Sequence, residues 1–120
     1  MKLAIVGSRN FSDYKVLSDF ILSKFNLSEV DAIVSGGAKG ADSLAEKFAH
    51  EHNLLLIVKE ADWAKYGRAA GPIRNQLIVD EADAVVAFPT PSSKGTLSTM
   101  NLATKKGKRL EVMHVPDDTK

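Results

Sequence analysis

The chain has no cysteine. That excludes disulfides, thiol catalysis and thiolate metal sites, and it fits a reducing compartment. No apolar run approaches the ~20 residues of a bilayer-crossing helix, so no membrane partner is expected. The apolar run at positions 1–6 stops at Gly7-Ser8-Arg9, too short for the core of a signal peptide. Charge of one sign is scarce as well: 16 Lys and Arg stand against 15 Asp and Glu, a formal net charge of +1. Such a balance gives no whole-protein attraction to polyanions and argues against nucleic acid as a partner. His50, His52 and His114 show no metal-ligand spacing with carboxylates. No carboxylate pair suited to acid–base work and no Ser–His–Asp spacing stands out, so no catalytic residue and no metal is assigned. A cytoplasmic location is expected.

A length of 120 residues suits one domain, read as 1–116 with a polar tail at 117–120. The hydrophobic share of 44% and the charged share of 26% are those of a globular chain. Apolar runs alternate with helical patterns throughout. Strands are expected at 3–6, 32–34, 54–58, 84–88 and 110–115, and continuous apolar runs of this kind suit a sheet covered on both faces. Leu17, Phe20, Ile21 and Phe25 make one helix face after a Ser12 cap. Ala41, Leu44, Ala45, Phe48 and Ala49 make another, running to about His52. Residues 59–71 show no period and read as a loop. Pro72 is expected at the first position of the next helix, whose buried face is Ile73, Leu77, Ile78 and Ala82. Thr96 to about Lys106 is the last helix, ended by Gly107.

This alternation predicts an α/β fold: a three-layer, Rossmann-like, doubly wound parallel sheet of strand order 3-2-1-4-5. Ligands of such sheets bind beyond the carboxyl ends of the strands, where the winding reverses. In that order Gly7-Ser8-Arg9, the run from Ser35 to Asp42 and the run from Pro89 to Thr96 share one rim.

The run Ser35-Gly36-Gly37-Ala38-Lys39-Gly40-Ala41-Asp42 is the most informative segment. A glycine-rich turn between strand and helix leaves backbone N–H groups at the positive end of a helix dipole, a cradle for phosphate. The spacing is neither the dinucleotide fingerprint nor a Walker A loop. Gly36, Gly37 and Gly40 serve either that cradle or a tight turn alone. Asp42 either accepts a ribose hydroxyl or orients the loop. Gly95-Thr96 repeats the anion logic, with Thr96 as hydroxyl donor or simple N-cap. Arg9 suits bidentate recognition of phosphate. Arg74 and Arg68 are weaker candidates, and Asn75 either reads a base edge or caps the loop. The candidate ligand-binding set is therefore Gly7, Ser8, Arg9, Ser35, Gly36, Gly37, Lys39, Gly40, Asp42, Arg74, Asn75, Gly95 and Thr96. Trp63 and Tyr66 could stack on a base or pin their loop.

Six ordered motifs carry a family resemblance along nearly the whole chain: Gly7 to Phe11, Ser35 to Asp42, Ala61 to Trp63, Tyr66 to Asn75, Ala82 to Phe88, and Gly95-Thr96. The chain resembles the SLOG superfamily, and within it the small YspA/YpsA-related members. That resemblance implies binding of a nucleotide or nucleotide-derived signal, such as an NAD- or ADP-ribose-related or cyclic nucleotide. The protein would act as a sensor or sequestering protein in bacterial or phage conflict, with homodimers or higher assemblies expected. No cofactor beyond the nucleotide-like ligand is implied. Two relatives set alternatives. LOG-type phosphoribohydrolases carry a catalytic glutamate where this chain has Thr99, so an N-glycosidase here would need another acid, Asp42 or Asp62. The DNA-processing protein DprA resembles the chain over Ser35 to Asp42 and binds single-stranded DNA.

Overall fold

The structure is a computed structural model that describes residues 1–117; the expected polar tail at 117–120 lies outside them from residue 118 onward. Five parallel strands, β1 (Lys2–Gly7), β2 (Ala32–Ser35), β3 (Leu55–Val58), β4 (Ala84–Phe88) and β5 (Arg109–Val112), form one sheet in the order β3-β2-β1-β4-β5. The fold is the doubly wound α/β arrangement expected from the strand–helix alternation. Helices α1 (Tyr14–Lys24), α2 (Ala41–Glu51), α3 (Trp63–Tyr66), α4 (Ala70–Glu81) and α5 (Lys94–Lys105) connect the strands.

Alternate residues along a strand point to opposite faces, and this divides the core in two. Leu3, Ile5, Ile33, Val86 and Phe88 meet Leu17 and Ile21 of α1 and Ala45, Phe48 and Ala49 of α2. Ala4, Val6, Val34, Val85 and Ala87 meet Ile78 and Val79 of α4 and Ala103 of α5. Phe88, the last residue of β4, is fully buried; its ring stacks on Phe11 at 5.3 Å and meets Phe20 edge-on at 5.7 Å. These contacts bind the end of β4 to the segment after β1. The winding therefore reverses over a rigid base.

Several element ends differ from the sequence reading. The cap of α1 is Asp13, whose carboxylate accepts from the Val16 amide at 3.2 Å, not Ser12. Residues 59–71 are not loop throughout: Asp62 caps the short α3 through the Lys65 amide at 3.1 Å, and a 3-10 turn at Gly67–Ala69 leads into α4. α4 starts at Ala70, so Pro72 is its third residue, still within the first turn where a missing N–H costs nothing. Its buried face is Ala70, Asn75, Ile78 and Val79, while Leu77 is exposed. α5 begins at Lys94 after Ser93, which makes Thr96 a buried residue inside the first turn and not the cap. β5 ends at Val112, short of the expected 115.

Replacing Phe88 by Ala removes both ring contacts from a site closed on every side. We expect a loss of roughly 3–5 kcal/mol in urea unfolding. A loss below 1 kcal/mol would show that the β4 end is not anchored as described.

Candidate functional site

The carboxyl end of β1, which pairs with β4, opens onto a cavity of about 620 Å³. Its lining comes from four segments: Val6 to Asn10 at the end of β1, Ala38, Lys39 and Asp42 before and within α2, Trp63 with Gly71, Pro72, Arg74, Asn75 and Ile78 after β3, and Ser92 to Thr96 with Ser98 and Thr99 around the start of α5. Of the sequence-selected residues, Gly7, Ser8, Arg9, Lys39, Asp42, Arg74, Asn75, Gly95 and Thr96 line this cavity. Ser35, Gly36, Gly37 and Gly40 are not among its lining residues.

Hydrogen bonds explain this division. The Gly37 amide donates to Ser35 Oγ at 3.3 Å, and the Ala38 amide donates to Asp42 Oδ2 at 3.1 Å. The Ala41 amide, first in α2, donates to the Ser8 carbonyl at 3.1 Å. The turn therefore satisfies three of its own N–H groups. Gly40 is held at φ +71°, and a Cβ there would lie 2.4 Å from the Ser8 oxygen and 2.6 Å from the Arg9 backbone. Its lack of a side chain lets the loop after β1 lie directly on the start of α2.

Asp42 orients the loop, one of the two roles open from the sequence. Burial pushes its carboxyl above the ordinary value of 3.8, opposed by the Ala38 amide and the Arg74 guanidinium. Arg74 is committed as well: Nη1 donates to the Gly36 carbonyl at 3.2 Å and Nε to Asn75 Oδ1 at 3.0 Å. Asn75 is buried beneath it.

At the start of α5 the amides are left free. No side chain caps the helix, because the Ser93 hydroxyl bonds the Thr90 backbone on both its amide (2.8 Å) and its carbonyl (2.9 Å). Among the described residues, the Gly95 and Thr96 amides have no protein acceptor. Thr99 Oγ1 donates to the Gly95 carbonyl at 3.2 Å. Asp62, the other acid weighed for hydrolysis, does not line the cavity.

Lys2, Lys15, Lys59, Lys106 and Arg109 each pair with a carboxylate away from the cavity. Among the described residues, Arg9, Lys39 and Lys94 line the cavity without an ion pair. Lys94 was not singled out from the sequence, although its place directly before Gly95-Thr96 was the available signal. Trp63 lines the cavity and is half exposed, whereas Tyr66 and Arg68 are not among the lining residues.

These features define a doubly wound α/β protein with a basic cavity at the winding reversal. The chain belongs to the YspA, cpYpsA-related SLOG family, whose family profile matches residues 1–66. It is 33% identical over 113 residues to the Gene 61 protein of Mycobacterium phage D29, an alignment covering 88% of this chain and 90% of that protein. Its fold is similar to that of DNA processing protein A from Helicobacter pylori, with a TM-score of 0.65 and 24% identity over 93% of this chain. The match spans 64% of that larger chain, whose structure was described for its single-stranded DNA binding mode.

This comparison corrects the expectation, drawn from the charge balance, that argued against nucleic acid as a partner. The Helicobacter protein, similar to this chain in fold, binds single-stranded DNA. The argument from a net charge of +1 fails because that sum averages over paired cations elsewhere and says nothing of the unpaired ones at the rim. Among the described residues, no helix is long and apolar enough to cross a membrane.

Two outcomes check this geometry. Gly40→Ala should cost about 2–4 kcal/mol in denaturant unfolding, from strained backbone plus contact with Ser8; a neutral effect would remove the close approach. Asp42 binds its proton more tightly folded than unfolded, so it makes stability fall as pH rises from 3.8 through its raised folded value. In Asp42→Asn that fall should be absent from unfolding curves taken across pH. An unchanged pH profile would show that the carboxyl is not desolvated.

Proposed function

We propose that the rim cavity binds a nucleotide unit by its phosphate, and that this unit belongs to single-stranded DNA. The observation that carries the proposal is an uncapped helix start, with free Gly95 and Thr96 amides, facing the same cavity as the unpaired Arg9, Lys39 and Lys94. Free N–H groups at a helix start and converging cations are what an oxyanion needs. Ser8, Arg9, Gly95 and Thr96 would hold the phosphate, with Lys39 and Lys94 adding charge. The Gly36, Gly37 and Gly40 turn would act by placing Lys39 and Asp42. The fold shared with a single-strand binder supports the polymer reading.

A second reading has its own support. A cavity of about 620 Å³ is the size of a small-molecule site. In this reading the ligand is a free nucleotide-derived signal, NAD- or ADP-ribose-related or cyclic, that the protein senses or sequesters. The resemblance to a phage protein would suit a role in conflict between phage and host.

Fluorescence anisotropy with a labelled oligothymidylate, competed by mononucleotides and ADP-ribose, separates the readings. Salt-sensitive oligonucleotide binding, weakened about tenfold or more by Arg9→Ala, is expected from loss of a charge-assisted phosphate contact. Thermal stabilisation by a free nucleotide without oligonucleotide binding would favour the second reading. Folded protein that responds to neither would contradict both.

A further inference from the structure

The outer face of α5 carries a second cavity of about 380 Å³, lined by Lys94, Leu97, Ser98, Asn101, Leu102 and Lys105. Lys94 and Ser98 line the rim cavity too, so the two spaces adjoin at those residues. The lining positions recur at helical spacing and so form one stripe along the helix. Its end lysines are about 16 Å apart along the axis, by the rise of an α-helix. Among the described residues neither Lys94 nor Lys105 makes an ion pair, whereas the adjacent Lys106 pairs with Asp80. α5 contains no acidic residue.

We propose that this stripe binds the nucleotides next along a single strand whose first unit occupies the rim cavity, a reading that rests on the DNA proposal above. Lys105 would meet a backbone phosphate, Ser98 and Asn101 offer hydrogen bonds, and the half-exposed Leu97 gives a base an apolar surface. The charge pattern favours a polyanion over a second copy of the chain. A two-fold contact would set this acid-free, lysine-bearing face against itself, and like charges would meet.

Affinities for an oligothymidylate of about ten nucleotides and for thymidine 5′-monophosphate test the assignment in wild type, Lys105→Ala and Lys94→Ala. Lys105→Ala should weaken the oligonucleotide roughly five- to tenfold at ~50 mM salt and lower its log–log salt slope by about 0.7. It should leave the mononucleotide unchanged. Lys94→Ala should weaken both ligands. Wild-type oligonucleotide affinity and slope in Lys105→Ala would overturn the stripe while leaving the rim site standing. Wild-type protein that binds only the mononucleotide would overturn the stripe and the DNA reading together. A dimer by light scattering that Lys105→Glu dissociates would assign the face to a second copy and also overturn it.

Discussion

The carbonyl of Ser8 is the point on which the site turns. It accepts from the Ala41 amide at the start of α2, and the contact exists only because residue 40 has no side chain to hold the backbones apart. The Ser8 amide meanwhile donates to the Phe88 carbonyl at 3.2 Å, so one residue links the ends of β1 and β4 to the first turn of α2. Each of those segments ends at the winding reversal of the sheet. Their junction gives a nearly fixed wall, and Arg9 extends from it exposed to solvent.

The same hydrogen bonds decide where an anion can be held. Glycine-rich turns are read as phosphate cradles because their amides are free, yet this turn spends the amides of Gly37, Ala38 and Ala41 within the protein. The unspent donors lie across the cavity, at α5. A motif's chemistry therefore depends on where its backbone groups are satisfied, and the glycines here build the wall that positions neighbouring side chains. Charge follows a similar rule. The chain is nearly neutral because 16 cationic side chains stand against 15 acidic ones, yet among the described residues Arg9, Lys39 and Lys94 line the cavity with no ion pair.

The strand order and the rim were legible in the sequence because continuous apolar runs report a sheet buried on both faces. The ends of elements were less so. Ser12 and Asp13 are both good caps, and only the backbone path chooses Asp13. The segment from Lys59 to Gly71 lacks a period because it holds a four-residue helix and a 3-10 turn, each too short to show one. Leu77 reads as core by spacing, but α4 packs on the sheet through Ala70, Asn75, Ile78 and Val79, which leaves Leu77 exposed. Likewise Thr96 cannot cap a helix that begins two residues earlier. Arg74 could be placed at the rim from its motif. Its bonds to Gly36 and Asn75 depend on long-range packing that no local pattern encodes.

The central claim is that the uncapped start of α5 and the loop after β1 jointly receive a phosphate. Backbone amide shifts of the isotopically labelled protein, followed while thymidine 5′-monophosphate and then an oligothymidylate are added, address it most directly. The account expects the largest displacements at Ser8, Arg9, Gly95 and Thr96, with the outer strand β3 unmoved. Displacements centred away from those four amides, or none at saturating concentrations of either ligand, would contradict it.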